Sequence, residues 1–293
     1  MNEVIQIKLH RSKSGIKRSF FADFGIYLFL LLFGVFMMLP LVYAISNSIK
    51  PLEEIWFFPP RFLVNNPTLD NFRDLLAVMS DSWVPFSRYI FNTVFITAVG
   101  TAGHVVIASL CAYVLSKHKF PGKGIMFSTV VLSLMFSGVV TQIPNFIIIS
   151  SLGWIDSYQA IIVPAFASSL GLYLMKQFMD QMIPDAILES ARIDGSSEWK
   201  IFWSIVMPMV KPAWLTLIIF SMQGLWGIGA NHFIQSEELK TLNYALSQIL
   251  AGGIARTGTG SAAAVLMMIV PIIVFIISQS KIIETMSASG MKE

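Results

Sequence analysis

The chain is 293 residues long, 55% hydrophobic and only 13% charged, with a mean hydropathy of +0.69 and a formal net charge of +3. Soluble domains carry roughly 25% charged residues, so the composition excludes an ordinary soluble protein, and so small and dispersed a positive charge gives no footing for nucleic acid. One cysteine, Cys111, excludes an internal disulfide and a multi-cysteine metal site.

About 20 apolar residues are needed to cross a hydrocarbon core of roughly 30 Å, and six segments meet or approach that length: 24–46, 89–115, 124–150, 158–179, 212–233 and 258–280. The fold class expected is an all-α integral membrane protein with six transmembrane helices. A basic stretch (Lys8, Arg11, Lys13, Lys17, Arg18) precedes the first span, whose apolar core exceeds the 7–15 residues of a signal-peptide h-region; an uncleaved helix is expected. Between 47 and 88, Pro59, Pro60 and Pro67 lead into TLDNFRDLL, where Thr68 can cap a short helix with Leu69, Phe72, Leu75 and Leu76 on one face. This region reads as a lid or docking surface. The chain accordingly divides into 1–85, comprising the N-terminal segment, first span and external loop, and 86–293, the core with its tail.

Span 2 contains His104 beside Thr101, Ala102, Ser109 and Ala112, which reads as a hydrogen-bonded packing residue. In span 3, Thr141, Gln142, Pro144 and Asn145 cluster, and Pro144 is expected to open the helix there by removing a backbone donor. Pro164, Ser168 and Ser169 repeat the theme in span 4, Gln223, Gly224, Gly227, Gly229 and Asn231 in span 5, and Ser261 and Pro271 in span 6. Kinked helices with amide and small side chains suit a gated path for a neutral hydroxylated solute, and Gln142, Asn145, Gln223 and Asn231 are the pathway candidates. The 234–257 segment is expected to be a mobile external loop.

No acidic residue lies near the middle of a span, which weakens a proton-driven carrier. Sodium held by backbone carbonyls at broken helices leaves no such signature, so an ion-gradient-driven secondary carrier stays as the alternative. With the N-terminus inside, fourteen Lys and Arg fall in internal segments and six in external ones, the bias of cytoplasmic loops. Both termini and the 184–212 segment are therefore expected in the cytoplasm. The sequence contains no GxxxxGK[ST], HExxH or GxSxG pattern and no Cys/His metal spacing. Neither a catalytic residue nor a metal site is expected, and energy for uphill transport must come from another polypeptide.

The 184–212 segment interrupts the apolar runs with Glu189, Asp194 and Glu198 beside Arg192 and Lys200. Pro184 and Asp185 suit a helix start and Gly195 a left-handed stop, predicting one short helix with an apolar stripe of Ile187, Leu188 and Ala191. Ser196 or Ser197 can cap a second, in which Trp199, Phe202, Trp203 and Val206 recur at helical spacing until Pro208 and Pro212. An amphipathic connector anchored by Trp199 and Trp203 is the plainer reading.

ESARIDG followed by IVMP resembles the EAA motif of ABC-transporter permeases, carried here by Glu189, Ser190, Ala191, Gly195 and the Met207-Pro208 pair. The flanking GLYLMKQFMDQMIPDAIL and MVKPAW, KPLEEIWFFPPRF with TLDNF, ELKTLNYAL and the tail GMKE are similar to binding-protein-dependent sugar permeases, in particular the second subunit of maltose-type systems. The resemblance implies a non-catalytic, multi-pass permease subunit in a prokaryotic inner membrane, importing an oligosaccharide-like solute delivered by an external binding protein. Implied partners are a second homologous permease, two cytoplasmic ATPase subunits that hold ATP and Mg, and membrane lipid; this chain itself would bind no cofactor. It also implies that the cytoplasmic helices between spans 4 and 5 couple to the ATPase through Glu189, Ser190, Ala191, Asp194 and Gly195, that the 234–257 loop reaches the binding protein, and that the tail lies between ATPase subunits. Small residues at 190 and 191 would let the knob enter a cleft. Ser190 replaces the middle alanine of the motif, and Glu293 ends the tail where the family has glycine.

Overall fold

A computed structural model describes residues 20–80, 83–229, 232–253 and 256–289. The basic N-terminal stretch, Asn231 and the GMKE tail therefore lie outside the described residues. Everything regular among the described residues is helical: α1 (Phe20–Ser48), α2 (Leu52–Ile55), α3 (Asp70–Ser80), α4 (Phe86–Lys117), α5 (Lys123–Ser133), α6 (Gly138–Ser151), α7 (Gln159–Phe166), α8 (Ser169–Met182), α9 (Asp185–Ile193), α10 (Glu198–Ile201), a π-helical turn (Phe202–Val206), α11 (Met207–Met209), α12 (Lys211–Trp226), a 3₁₀ turn (Glu237–Leu239), α13 (Leu242–Leu250) and α14 (Thr257–Ser289). The end of the bundle where α1 begins is called the near end below, and the opposite one the far end.

Four stretches are long and apolar enough to cross a membrane: Asp23–Ser48, Phe86–Lys117, Gln159–Met182 and Thr257–Gln279. The count reaches six only if two bent pairs are each one span. An opening at Pro144 was expected in span 3, and the bend lies elsewhere; the bend at the entry to span 5 agrees with the exit expected at Pro208 and Pro212. The chain turns through 112° between α5 and α6. It does so at Leu134–Ser137, ahead of Pro144, because Ser137 adopts extended backbone and starts a new helix by accepting from the Val139 N–H at 3.4 Å. Pro144 sits inside α6 without ending it. The second bend, 80°, separates Glu198–Met209 from α12. At 16 residues α12 is about 24 Å long, short of a hydrocarbon core, and Gly227 ends it before the predicted limit at 233.

α4 is the central post. Against its near half pack α8, α9, the π turn and the start of α12, in a cluster holding Ala112, Met175, Met179, Leu188, Ile201, Phe202 and Val206. Against its far half pack α3, α13 and α14 through Leu75, Tyr89, Leu246 and Ala262. The buried face of α3 is Asn71, Leu75 and Met79, while Leu69 and Leu76 of the expected stripe are exposed. Asn71 is the reason: its buried amide donates to the carbonyls of Ser48 (3.0 Å) and Lys50 (2.7 Å), which rotates α3 so that a polar side chain satisfies carbonyls at the end of α1. None of the most apolar window of α1 is buried, and α5 and α6 bury little but Ile149. Apolar helices exposed all round belong in lipid or against another apolar chain.

Candidate functional site

At the near end, α9 forms a short knob, one face packed on the bundle and the other exposed. Its first turn is held by Lys117, whose Nζ donates to the Asp185 carboxylate at 2.8 Å and to the Ile183 carbonyl at 2.6 Å. That ammonium holds the Asp185 carboxyl below the usual carboxylate range. Its last turn closes in a Schellman motif: the Ser196 N–H bonds back to the Ala191 carbonyl and the Gly195 N–H to the Arg192 carbonyl, each at 3.0 Å, with Gly195 at φ +77°. The glycine stop was legible in the sequence for this reason. No atom lies within 4 Å of where a Cβ at 195 would be, so the requirement there is conformational and owes nothing to crowding.

The exposed surface of the knob differs from the one expected. Glu189, Ser190, Asp194 and Gly195 face outward, and the Ser190 hydroxyl donates back to the Ala186 carbonyl at 2.9 Å. Ala191 does not: it is buried with Leu188 in the near-end core. A small residue at 191 therefore lets α9 lie close to its own bundle, and the reason first given for it, entry into a partner's cleft, does not fit its position. Ile187 of the expected stripe is exposed. Ile193 is 86% exposed at the tip, and Trp199 on the following leg is 63% exposed. An apolar tip of this kind escapes a periodicity argument, because it is exposed and not buried against the described residues.

The second leg, α10 through α11, is capped by Ser197, which accepts from the Lys200 N–H at 3.4 Å. Its buried residues are Ile201, Phe202 and Val206, while Trp199 and Trp203 turn outward; the expected aromatic face is thus split. Glu198 joins three elements. Its Oε1 accepts from Arg192 Nε at 2.7 Å and its Oε2 from the Tyr113 hydroxyl of α4 at 2.7 Å, with His118 Nε2 3.5 Å away. The same carboxylate raises the Arg192 pKa further. Neither Tyr113 nor Lys117 was singled out from sequence, since their roles depend on which residues the fold brings within reach. The two legs are thereby tied to the near end of α4. The elbow beyond them carries a π-helical turn, a feature frequent at functional sites, and Trp214 of α12 donates to the Met207 carbonyl at 3.0 Å across the bend.

At the far end the 234–250 segment is stapled down, contrary to the mobile loop expected. Asp156, at φ +61°, accepts from the backbone N–H groups of Gln235 (3.0 Å) and Ser236 (2.8 Å) and from the Ser236 hydroxyl. Asn92 of α4 donates to the carbonyls of Glu238 and Lys240, both at 2.8 Å, and accepts from the Tyr158 hydroxyl at 2.7 Å. Tyr89 reaches Glu237 at 2.8 Å. Among the pathway candidates, Gln142 and Asn145 lie on the exposed surface of α6 and Gln223 on that of α12. The structure does not gather these three around one of the described cavities.

A helical membrane chain with a knob of this sequence, between the fourth and fifth spans, has close counterparts. Residues 104–286 match the family described as binding-protein-dependent transport system inner membrane component. The chain belongs to that family. Among its relatives, this permease is 31% identical over 249 residues to the polygalacturonan/rhamnogalacturonan transport system permease protein YtcP of Bacillus subtilis, covering 82% of this chain and 84% of the relative. It is 26% identical over 274 residues to the arabinooligosaccharides transport system permease protein AraQ of the same organism, covering 90% and 94%. In fold it is similar to a chain of a bacterial ABC transporter involved in the import of the acidic polysaccharide alginate, with a TM-score of 0.76 and 22% identity, over 90% of this permease and 98% of that chain.

Proposed function

We propose that this permease is one of two membrane subunits of an ATP-driven importer of oligosaccharides, with the 184–212 segment in the cytoplasm as its coupling element. The observation that carries the reading is the knob: a nine-residue helix with an exposed apolar tip at Ile193, tied through Asp185 and Glu198 to the near end of the central helix. A displacement imposed on such a knob is transmitted to α4 by the Lys117–Asp185 and Tyr113–Glu198 pairs, and to α12 through the elbow. The surface formed by Glu189, Ser190, Ile193, Asp194 and Gly195 fits a cleft on a separate ATPase subunit, where ATP and Mg are held. Two such ATPases, a second permease and an external solute-binding protein complete the assembly in a prokaryotic inner membrane, with both termini of this chain in the cytoplasm. ATP-driven closure on one side and docking of the loaded binding protein on the other switch the spans between two packings.

The far end suits the external side. With 234–250 stapled to α4, the stretch left to reach a binding protein is the turn around Gly252 and Gly253. The test is reconstitution. Liposomes holding this permease with its partner permease and ATPases should accumulate a labelled oligosaccharide only with ATP and binding protein. Uptake driven by a proton or sodium gradient in liposomes holding this chain alone would establish the secondary carrier instead.

A further inference from the structure

His104 of α4 is buried and hydrogen-bonded, as expected. Its ring is only 5% exposed, and its Nδ1 lies 3.1 Å from the Ala165 carbonyl, near the break between α7 and α8. A carbonyl only accepts, so Nδ1 carries the proton, and in the neutral imidazole Nε2 is left as a bare acceptor. Among the described residues Nε2 is buried with no hydrogen-bond partner. His104 lines a cavity of about 270 Å³ between α8 and α12, just below the roughly 300–1,000 Å³ range of small-ligand pockets. Ser168 and Ser221 line the same cavity, together with Phe220 and Gly224. The Ser168 hydroxyl accepts from the Gly171 N–H at 3.3 Å and keeps its own proton to donate. No charged side chain borders the cavity, so its polar groups suit hydroxyls, and its apolar wall suits the C–H face of a sugar ring.

Gly171 covers Nε2 in this packing: a methyl group at 171 would stand 2.1 Å from it. Across the same seam, a methyl at Gly103 would stand 2.1 Å from the Phe166 ring. α4 meets α7 and α8 this closely only through glycine, and the break at Ala167 and Ser168 is a place where α8 can turn relative to α7. A buried acceptor without a partner is unfavourable, and a hydroxyl that reached it would favour the packing in which α8 has moved off the ring.

We propose that this cavity is a hydroxyl-binding subsite for the transported saccharide. His104 Nε2 accepts from a sugar hydroxyl, the Ser168 and Ser221 hydroxyls complete the polar edge, and the subsite opens when the first turn of α8 swings away from α4. The inference rests on the oligosaccharide importer reading, and it makes the solute itself a bias between the two packings.

The test uses the full complex in proteoliposomes with labelled oligogalacturonide, arabino-oligosaccharide and alginate oligosaccharide, taking forward whichever the unaltered complex imports. His104→Asn keeps an amide N–H near Ala165 and removes Nε2; Ser221→Ala removes one hydroxyl from the opposite wall. The expected result is binding-protein-stimulated ATP hydrolysis that persists, with saccharide imported per ATP hydrolysed falling about tenfold in His104→Asn and about threefold in Ser221→Ala. An unchanged ratio in His104→Asn overturns the subsite, as does loss of ATP hydrolysis in step with uptake, which would mean His104 only supports packing. If the unaltered complex imports none of the three, the saccharide reading fails first, and the subsite falls with it.

Discussion

At position 195 the backbone stands at φ +77°, a conformation glycine adopts freely and a β-branched residue resists. Gly195→Val should therefore strain the Schellman turn by about 1–2 kcal/mol and displace the tip formed by Ile193 and Asp194. The protein is expected to insert normally and to lose most ATP-driven uptake; uptake at the unaltered level would remove the case for 184–212 as the coupling element. Asp156 is the far-end counterpart. Its carboxyl is held below the ordinary aspartate range, first by the Ser236 hydroxyl and then by the Ser236 N–H. A depressed native pKa means that the contribution is complete above about pH 4, the unfolded value, and is lost as pH falls through the lower native one. Asp156→Asn should loosen the 233–236 attachment by about 1 kcal/mol, discounted for solvent screening. Amide exchange across 235–242 should then be about fivefold faster at neutral pH, and an unaltered exchange rate would show that Asn92 and Tyr89 hold the segment without it.

Among the elements, the knob and the central helix act through few bonds. Tyr113→Phe leaves α4 intact but removes the donor to Glu198, worth about 1 kcal/mol, so solute imported per ATP should fall by up to about fivefold while assembly with the ATPases is retained. An unchanged ratio would assign transmission to the Lys117–Asp185 pair alone. This scale is also where sequence reading met its limit. The caps were legible: Ser197, Gly195 and Thr68 act through their own neighbours in the chain, and local chemistry suffices to place them. The direction a helix faces was less so. Trp199 and Trp203 share the spacing of Phe202 and Val206, yet the tryptophans face out because Phe202 and Val206 fill the space beside Met175 and Met179. Pro144 promised a break in span 3, but the break lies at Ser137, where a side-chain cap starts the next helix.

For the whole molecule, the distribution of exposed apolar surface matters most. α1 is unburied across its most apolar window, and α5 and α6 expose most of theirs. The bundle therefore leaves these faces to lipid or to another apolar chain, and on the proposed function this chain alone in liposomes should show no gradient-driven uptake. Composition, span number within the limits of the two bent pairs, the family motif and the glycine stop all followed from the sequence, because each depends on residue type and spacing within one segment. What only the tertiary structure decided was which side chains meet: Tyr113 with Glu198, Lys117 with Asp185, Asp156 with Ser236, and His104 with Ala165. Those pairs are 61 to 85 residues apart along the chain. Partnerships at such separations are set by how α4 packs against the broken fourth and fifth spans, and no local pattern records that packing.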